Sequence, residues 1–185
     1  MSDMNDAFWH KGQRNMVGSR CYSKGTLAMH ATTKNDVKTG GAIAYSIADT
    51  GVIYNKAIAS SVDISGLGGV HGNNPKIEYF DDSQTTARIT RQSAVGLSVA
   101  DDEHVYILFT LDASGTVRVY AGEMVGITAT AKRPQLDLSD EACFGQLYLK
   151  NETGSAFVFG SANLDLTTGD GVTATFTDLS FPPSD

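Results

Sequence analysis

Four histidines offer the chain's proton-transfer and metal-binding groups: His10, His30, His71 and His104. No two stand four residues apart and there is no HExxH, so no zinc pair can form on one helix face. His104 opens an apolar alternation and reads as a solvated strand residue. His71 lies in a glycine run and reads as a loop residue, and His10, beside Trp9, as a contact residue. Paired acids stand at Asp81-Asp82 and Asp101-Asp102-Glu103. Neighbouring acids on an extended chain point to opposite faces, which does not suit a two-carboxylate hydrolase. Neither run has the spacing of a calcium loop, so both read as turn and solubility residues. Gly66-Leu67-Gly68-Gly69-Val70-His71-Gly72 invites a phosphate-loop reading. That loop needs a strand before it and a helix after it, whereas Asn73-Asn74-Pro75 and an apparent strand follow. There is no GxSxG nucleophile motif. Cys21 and Cys143 have no metal or CxxC spacing and read as two separate buried thiols. Asn151-Glu152-Thr153 matches a glycosylation sequon, but no secretion signal precedes it, and it reads as a chance match. The expectation is a protein that is not an enzyme, with no catalytic residues, no cofactor and no metal.

The elements that hold these residues alternate with a period of two, the signature of half-buried strands. In 103–112, Val105, Ile107, Phe109 and Leu111 point one way, and His104, Tyr106, Leu108 and Thr110 the other. Asp112-Ala113-Ser114-Gly115 is a turn, and 116–120 returns with Val117 and Val119 inward. A second hairpin is expected from 146–150 through Asn151-Glu152-Thr153-Gly154 to 156–159. A last strand covers 172–177, with Val172, Ala174 and Phe176 inward. Shorter candidates are 42–47, 52–59, 76–80, 86–91, 95–99 and 125–130. Stretch 65–75 is a loop. Many short strands joined by glycine-rich turns predict an all-β fold, a β-sandwich or jelly roll. Residues 1–40 show no period and read as an irregular N-terminal arm; 41–185 form the β domain.

The whole chain has 185 residues and a net charge of −7. Residues 1–40 hold six bases against three acids, a net of +3; 41–185 hold eight bases against 18 acids, a net of −10. An acidic body argues against nucleic acid as a partner, because phosphate affinity comes from Lys and Arg. The longest strongly apolar run, 105–109, has strand length, far below the roughly 20 residues of a membrane helix, so no membrane is expected. The basic head end carries Phe8, Trp9, Lys11, Arg14 and Arg20. Two readings of it stand side by side: a solvated terminal segment, or a basic arm that docks on an acidic partner through those five residues.

Four segments carry a family resemblance: His104-Val105-Tyr106-Ile107-Leu108-Phe109-Thr110-Leu111-Asp112-Ala113-Ser114-Gly115-Thr116, Phe144-Gly145-Gln146-Leu147-Tyr148-Leu149-Lys150, Phe157-Val158-Phe159-Gly160-Ser161-Ala162-Asn163-Leu164-Asp165 and Gly171-Val172-Thr173-Ala174-Thr175-Phe176-Thr177-Asp178-Leu179. Together they resemble head-decoration, or capsid cement, proteins of tailed bacteriophages. Ala42-Ile43-Ala44-Tyr45-Ser46-Ile47 resembles an early strand of the same pattern. The departures fall at Gly160-Ser161-Ala162 and at 134–142. The resemblance implies a virion structural protein on the capsid exterior, assembled in the host cytoplasm. It implies the major capsid protein as partner and a homotrimer as the assembly. The alternative is a tail or head-fibre module that binds host-surface glycan.

Overall fold

The computed structural model describes residues 18–48, 50–58, 79–80, 89–90, 98–134 and 141–181. Among these residues fourteen strands follow in chain order. The first seven are β1 (Arg20–Cys21), β2 (Leu27–Met29), β3 (Val37–Thr39), β4 (Ile43–Ser46), β5 (Ile53–Lys56), β6 (Tyr79–Phe80) and β7 (Ile89–Thr90). The rest are β8 (Ser98–Val99), β9 (Glu103–Asp112), β10 (Val117–Ala121), β11 (Val125–Gly126), β12 (Glu141–Glu152), β13 (Phe157–Val158) and β14 (Gly171–Asp178). Among the described residues there is no helix, and none that is long and apolar enough to cross a membrane. The fold is all-β.

One large sheet runs in the order β14-β12-β9-β10-β6-β7, with β11 added to β9. Its pairs are antiparallel except for the short parallel contact between β10 and β6. A smaller sheet, β1-β4-β5, and the pair β2-β3 lie over one face of it. Between the layers sits the core. Val105, Ile107, Phe109 and Leu111 of β9 point into it beside Val119 and Leu147. Ile43 and Tyr45 of β4, Leu27 and Val37 meet them from the other layer. Each such side chain contributes about 1.5–3 kcal/mol when fully buried. This two-layer arrangement is that of a sandwich.

The β9–β10 hairpin forms as its sequence requires. The Asp112 carboxylate accepts from the Ser114 amide (2.9 Å), the Ser114 hydroxyl (2.6 Å) and the Thr116 amide (3.0 Å). Gly115 closes the turn at φ +76°, a conformation that favours glycine. In β12 the register shifts between Cys143 and Gly145. This bulge turns Phe144 into the core, with its ring 6.1 Å from that of Phe109. Gly145 then faces Leu27, whose Cδ2 would lie 2.8 Å from an added Cβ.

Three expectations change. The hairpin expected from 146 to 159 does not form: β12 already has β9 on one edge and β14 on the other, so β13 pairs with β8 instead. The stretch 125–130 holds only the two-residue β11 before the chain turns. Stretch 20–39, read as part of an irregular arm, contributes β1, β2 and β3, with Cys21, Leu27 and Val37 in the core. Strands of two or three residues are too short to display a period. Of the residues expected to point inward, Val105, Ile107, Phe109, Leu111 and Val119 are fully buried, and Val117, Val172, Ala174 and Phe176 are half-buried against them; Leu147 and Leu149 of β12 complete this part of the core.

Candidate interaction surface

The small sheet presents one face to the core and one outward. Cys21 pairs with Tyr45, and both point inward. The Tyr45 ring stacks on Tyr54 at 5.4 Å and its hydroxyl donates to the Asp112 carbonyl (2.7 Å). Alternation therefore sends Arg20 and Tyr22 outward. Register places Arg20, Ser46 and Ile53 in one row across β1, β4 and β5. The Tyr22 hydroxyl donates to Ser46 Oγ (3.1 Å), and the Arg20 guanidinium lies 4.7 Å from the Tyr22 ring centre. These two contacts hold the Tyr22 phenol below its usual ionisation range, the Ser46 hydrogen bond most of all. Arg20 Nε is buried and, among the described residues, has no hydrogen-bond partner.

The exposed large apolar residues of the described chain gather on this sheet and its flanks. They are Tyr22, Val52, Ile53, Ile58 and Phe181, between 45% and 62% exposed. Phe181 arrives there because the Cys21 amide donates to the Ser180 carbonyl (3.0 Å). Of these apolar side chains, Tyr22 and Ile53 share the outward side by alternation and register, which makes that side the candidate contact surface. Of the five residues expected to bind a partner, Arg20 lies on this surface; Phe8, Trp9, Lys11 and Arg14 lie outside the described residues. Sequence reasoning missed Tyr22 and Ile53. The signal was present in the Arg20-x-Tyr22 spacing, which puts both on the side opposite Cys21.

The groups able to do chemistry lie elsewhere, on the outer face of the large sheet. Glu141 is buried; its carboxylate accepts from the Tyr120 hydroxyl (2.7 and 2.8 Å), from Thr110 Oγ1 and from Arg118 (2.9 Å). Burial opposes the Arg118 charge, but Glu141, Tyr120 and Asp112 together outweigh it and hold the guanidinium above its ordinary value. His104 is also buried, which corrects the expectation of a solvated strand residue. Its Nε2 faces the Ala129 carbonyl (3.0 Å), which can only accept, so Nε2 carries a proton. In the neutral ring, Nδ1 then accepts from the Tyr148 hydroxyl (2.8 Å). Arg133 covers the Tyr106 ring at 4.5 Å and donates to Gln146 (2.9 Å). These groups are tied to one another, an arrangement that stiffens the sheet.

Cys21 and Cys143 are free and buried, and burial pushes both thiols up to about 12. Asn151 is fully buried, so the sequon has no accessible acceptor nitrogen in the folded chain. Among the described residues no three His, Cys, Asp or Glu side chains come together in a way that would hold a metal ion. His71 and the glycine loop at 65–75 lie outside the described residues. Comparison of the chain with protein-family models, curated proteins and solved structures gives no match.

Proposed function

We propose that the protein is a structural component of a tailed-bacteriophage virion: a non-enzymatic capsid cement protein that clamps neighbouring copies of the major capsid protein on the shell exterior. The observation that carries the reading is where the resembling segments fall. They lie on β9 and its turn, on β12 and on β14, three adjacent strands of one sheet. The fourth supplies Phe157, Phe159 and Leu164 to the same core. The resemblance thus follows one contiguous folded block. Attachment at three subunits at once multiplies modest contacts into firm binding, which favours a homotrimer assembled in the host cytoplasm.

In this reading the head end supplies the shell contact. Phe8 and Trp9 bury area, and Lys11 and Arg14 steer docking onto an acidic shell surface. Co-sedimentation of the purified protein with preassembled heads is the test. Saturable binding at hundreds of copies per head is expected, weakened about tenfold or more by Trp9→Ala with Arg14→Glu. A handful of copies per virion, or binding to host glycan in place of heads, overturns the reading in favour of a tail or fibre module.

A further inference from the structure

The chain has two chemically opposite ends. The small sheet lies at the Asp112 end of β9, where Tyr45 bonds the Asp112 carbonyl and Lys56 lies beside Gly115. Its sequence stretches, 18–25 and 42–58, carry Arg20, Lys24 and Lys56 against one acid, Asp49. The other end of β9 begins at Glu103. The Gly154 amide donates to the Asp101 carboxylate there (2.8 Å), the Asp102 amide to the Asn151 carbonyl (2.9 Å), and the Asp170 amide to the Glu152 carbonyl (2.9 Å). Among the described residues that end gathers five acids, with Lys150 as the one base, already paired to Glu152 (2.7 Å). Asp101, Asp102 and Asp170 are exposed. Ten residues of β9, at about 3.4 Å each, put roughly 30 Å between the two ends.

We infer that copies of this chain associate head to tail, the basic and apolar face of the small sheet of one copy seating the acidic loop end of the next. Two features of that face ask for such an occupant. Its apolar side chains Tyr22 and Ile53 are exposed. Its bases, Arg20 and the exposed Lys24, are opposite in charge to the acidic end. A contact between two different patches is heterologous, and it builds a ring when the rotation closes. Three copies per ring would give the trimer, so the inference deepens the self-association part of the proposed function and rests on it. Arg20 then serves the contact between copies, while the residues before it serve the shell.

Light scattering on the purified chain, with a salt series, tests this. The wild type is expected at about three times 19.6 kDa, and to dissociate as salt rises. A face variant, Arg20→Glu with Ile53→Lys, is expected to be monomeric with an unchanged melting temperature; Ile58→Lys serves if that pair fails to fold. An end variant, Asp102→Asn with Asp170→Lys, is expected to be monomeric too; Asn tolerates the positive φ of residue 102. Mixed in equal amounts, the two variants retain one intact face and one intact end between them, and are expected to form a dimer. A monomeric wild type overturns both the inference and the trimer. A trimer that the face variant leaves intact overturns the inference alone. Monomeric variants that do not pair on mixing overturn the acidic end as the occupant.

Discussion

Asn151→Asp changes one atom's chemistry at a fully buried position and should cost the fold dearly. Asn151 Nδ2 donates to the carbonyls of Val99 (2.9 Å), Ala100 (3.0 Å) and Ser155 (2.7 Å). Its Oδ1 accepts from the Thr153 amide (3.3 Å) and hydroxyl (2.9 Å). The side chain thereby fastens the ends of β8 and the turn before β13 to the end of β12. An aspartate of the same shape keeps the acceptor but has at most one proton for three carbonyls. Each buried acceptor left without a donor costs about 1–3 kcal/mol, so a total of about 3–5 kcal/mol is expected. For a chain of this size that is a fall in melting temperature of roughly 8–15 °C. Burial raises the pKa of the new carboxyl in the folded state. The deficit is therefore smallest below the unfolded value of about 3.9 and widens as pH rises. Thermal unfolding followed by circular dichroism at pH 4 and pH 7 measures both effects. A fall under about 3 °C, or a deficit that narrows toward pH 7, would refute the assignment of Asn151 as the fastening point.

Phe109 is fully buried against Phe144, and Phe109→Ala should lower the unfolding free energy by about 3–5 kcal/mol in urea titration; a near-wild-type midpoint contradicts the core assignment. The two thiols set an alkaline limit. The unfolded chain gives up these protons near 9.0, the folded one only near 12, so their contribution is intact below pH 9 and is lost as pH rises above it. The slope approaches about 1.4 kcal/mol per pH unit for each thiol, and Cys21→Ala with Cys143→Ala should flatten it; a urea midpoint constant from pH 8 to 10.5 refutes this. At Gly122 an added Cβ would fall on the Lys132 carbonyl oxygen, and the amide donates to the Tyr106 carbonyl (2.7 Å). Gly122→Ala should cost about 1–3 kcal/mol as overpacking, read as a melting shift of several degrees, and no shift would mean that the 122–134 segment is free to move.

The long strands were legible because length makes a period visible. Ten residues of β9 show which side is apolar, and the Asp112–Gly115 turn names its own conformation. The short strands were not: β1 and β2 have two and three residues, and their places in the core depend on neighbours far along the chain. The partner of β13 was hidden for a related reason. Nearness in sequence favours a hairpin with β12, but pairing is limited to two edges, and β9 and β14 occupy both. The interaction surface was legible in part. Arg20 could be singled out by type, whereas Ile53 becomes informative only once its register with Ser46 and Arg20 is known.

His104 shows what alternation does and does not report. It correctly turned His104, Tyr106, Leu108 and Thr110 away from the main core. It says nothing of whether the face they turn to meets water, and here much of that face is covered. The chain between 122 and 134 reaches it through the Ala129 carbonyl on His104 and Arg133 on Tyr106, while Leu108 and Cys143 pack against Leu179. Burial of so many polar groups is tolerable because each finds a partner, the carboxylate of Glu141 foremost. A sheet held on both faces has few places left to meet another protein without disturbing its own packing. Those that remain on the described chain are the outward side of the small sheet and the loop end of the large one. If copies associate as inferred above, these are the two places that meet, the bases of one against the acids of the other.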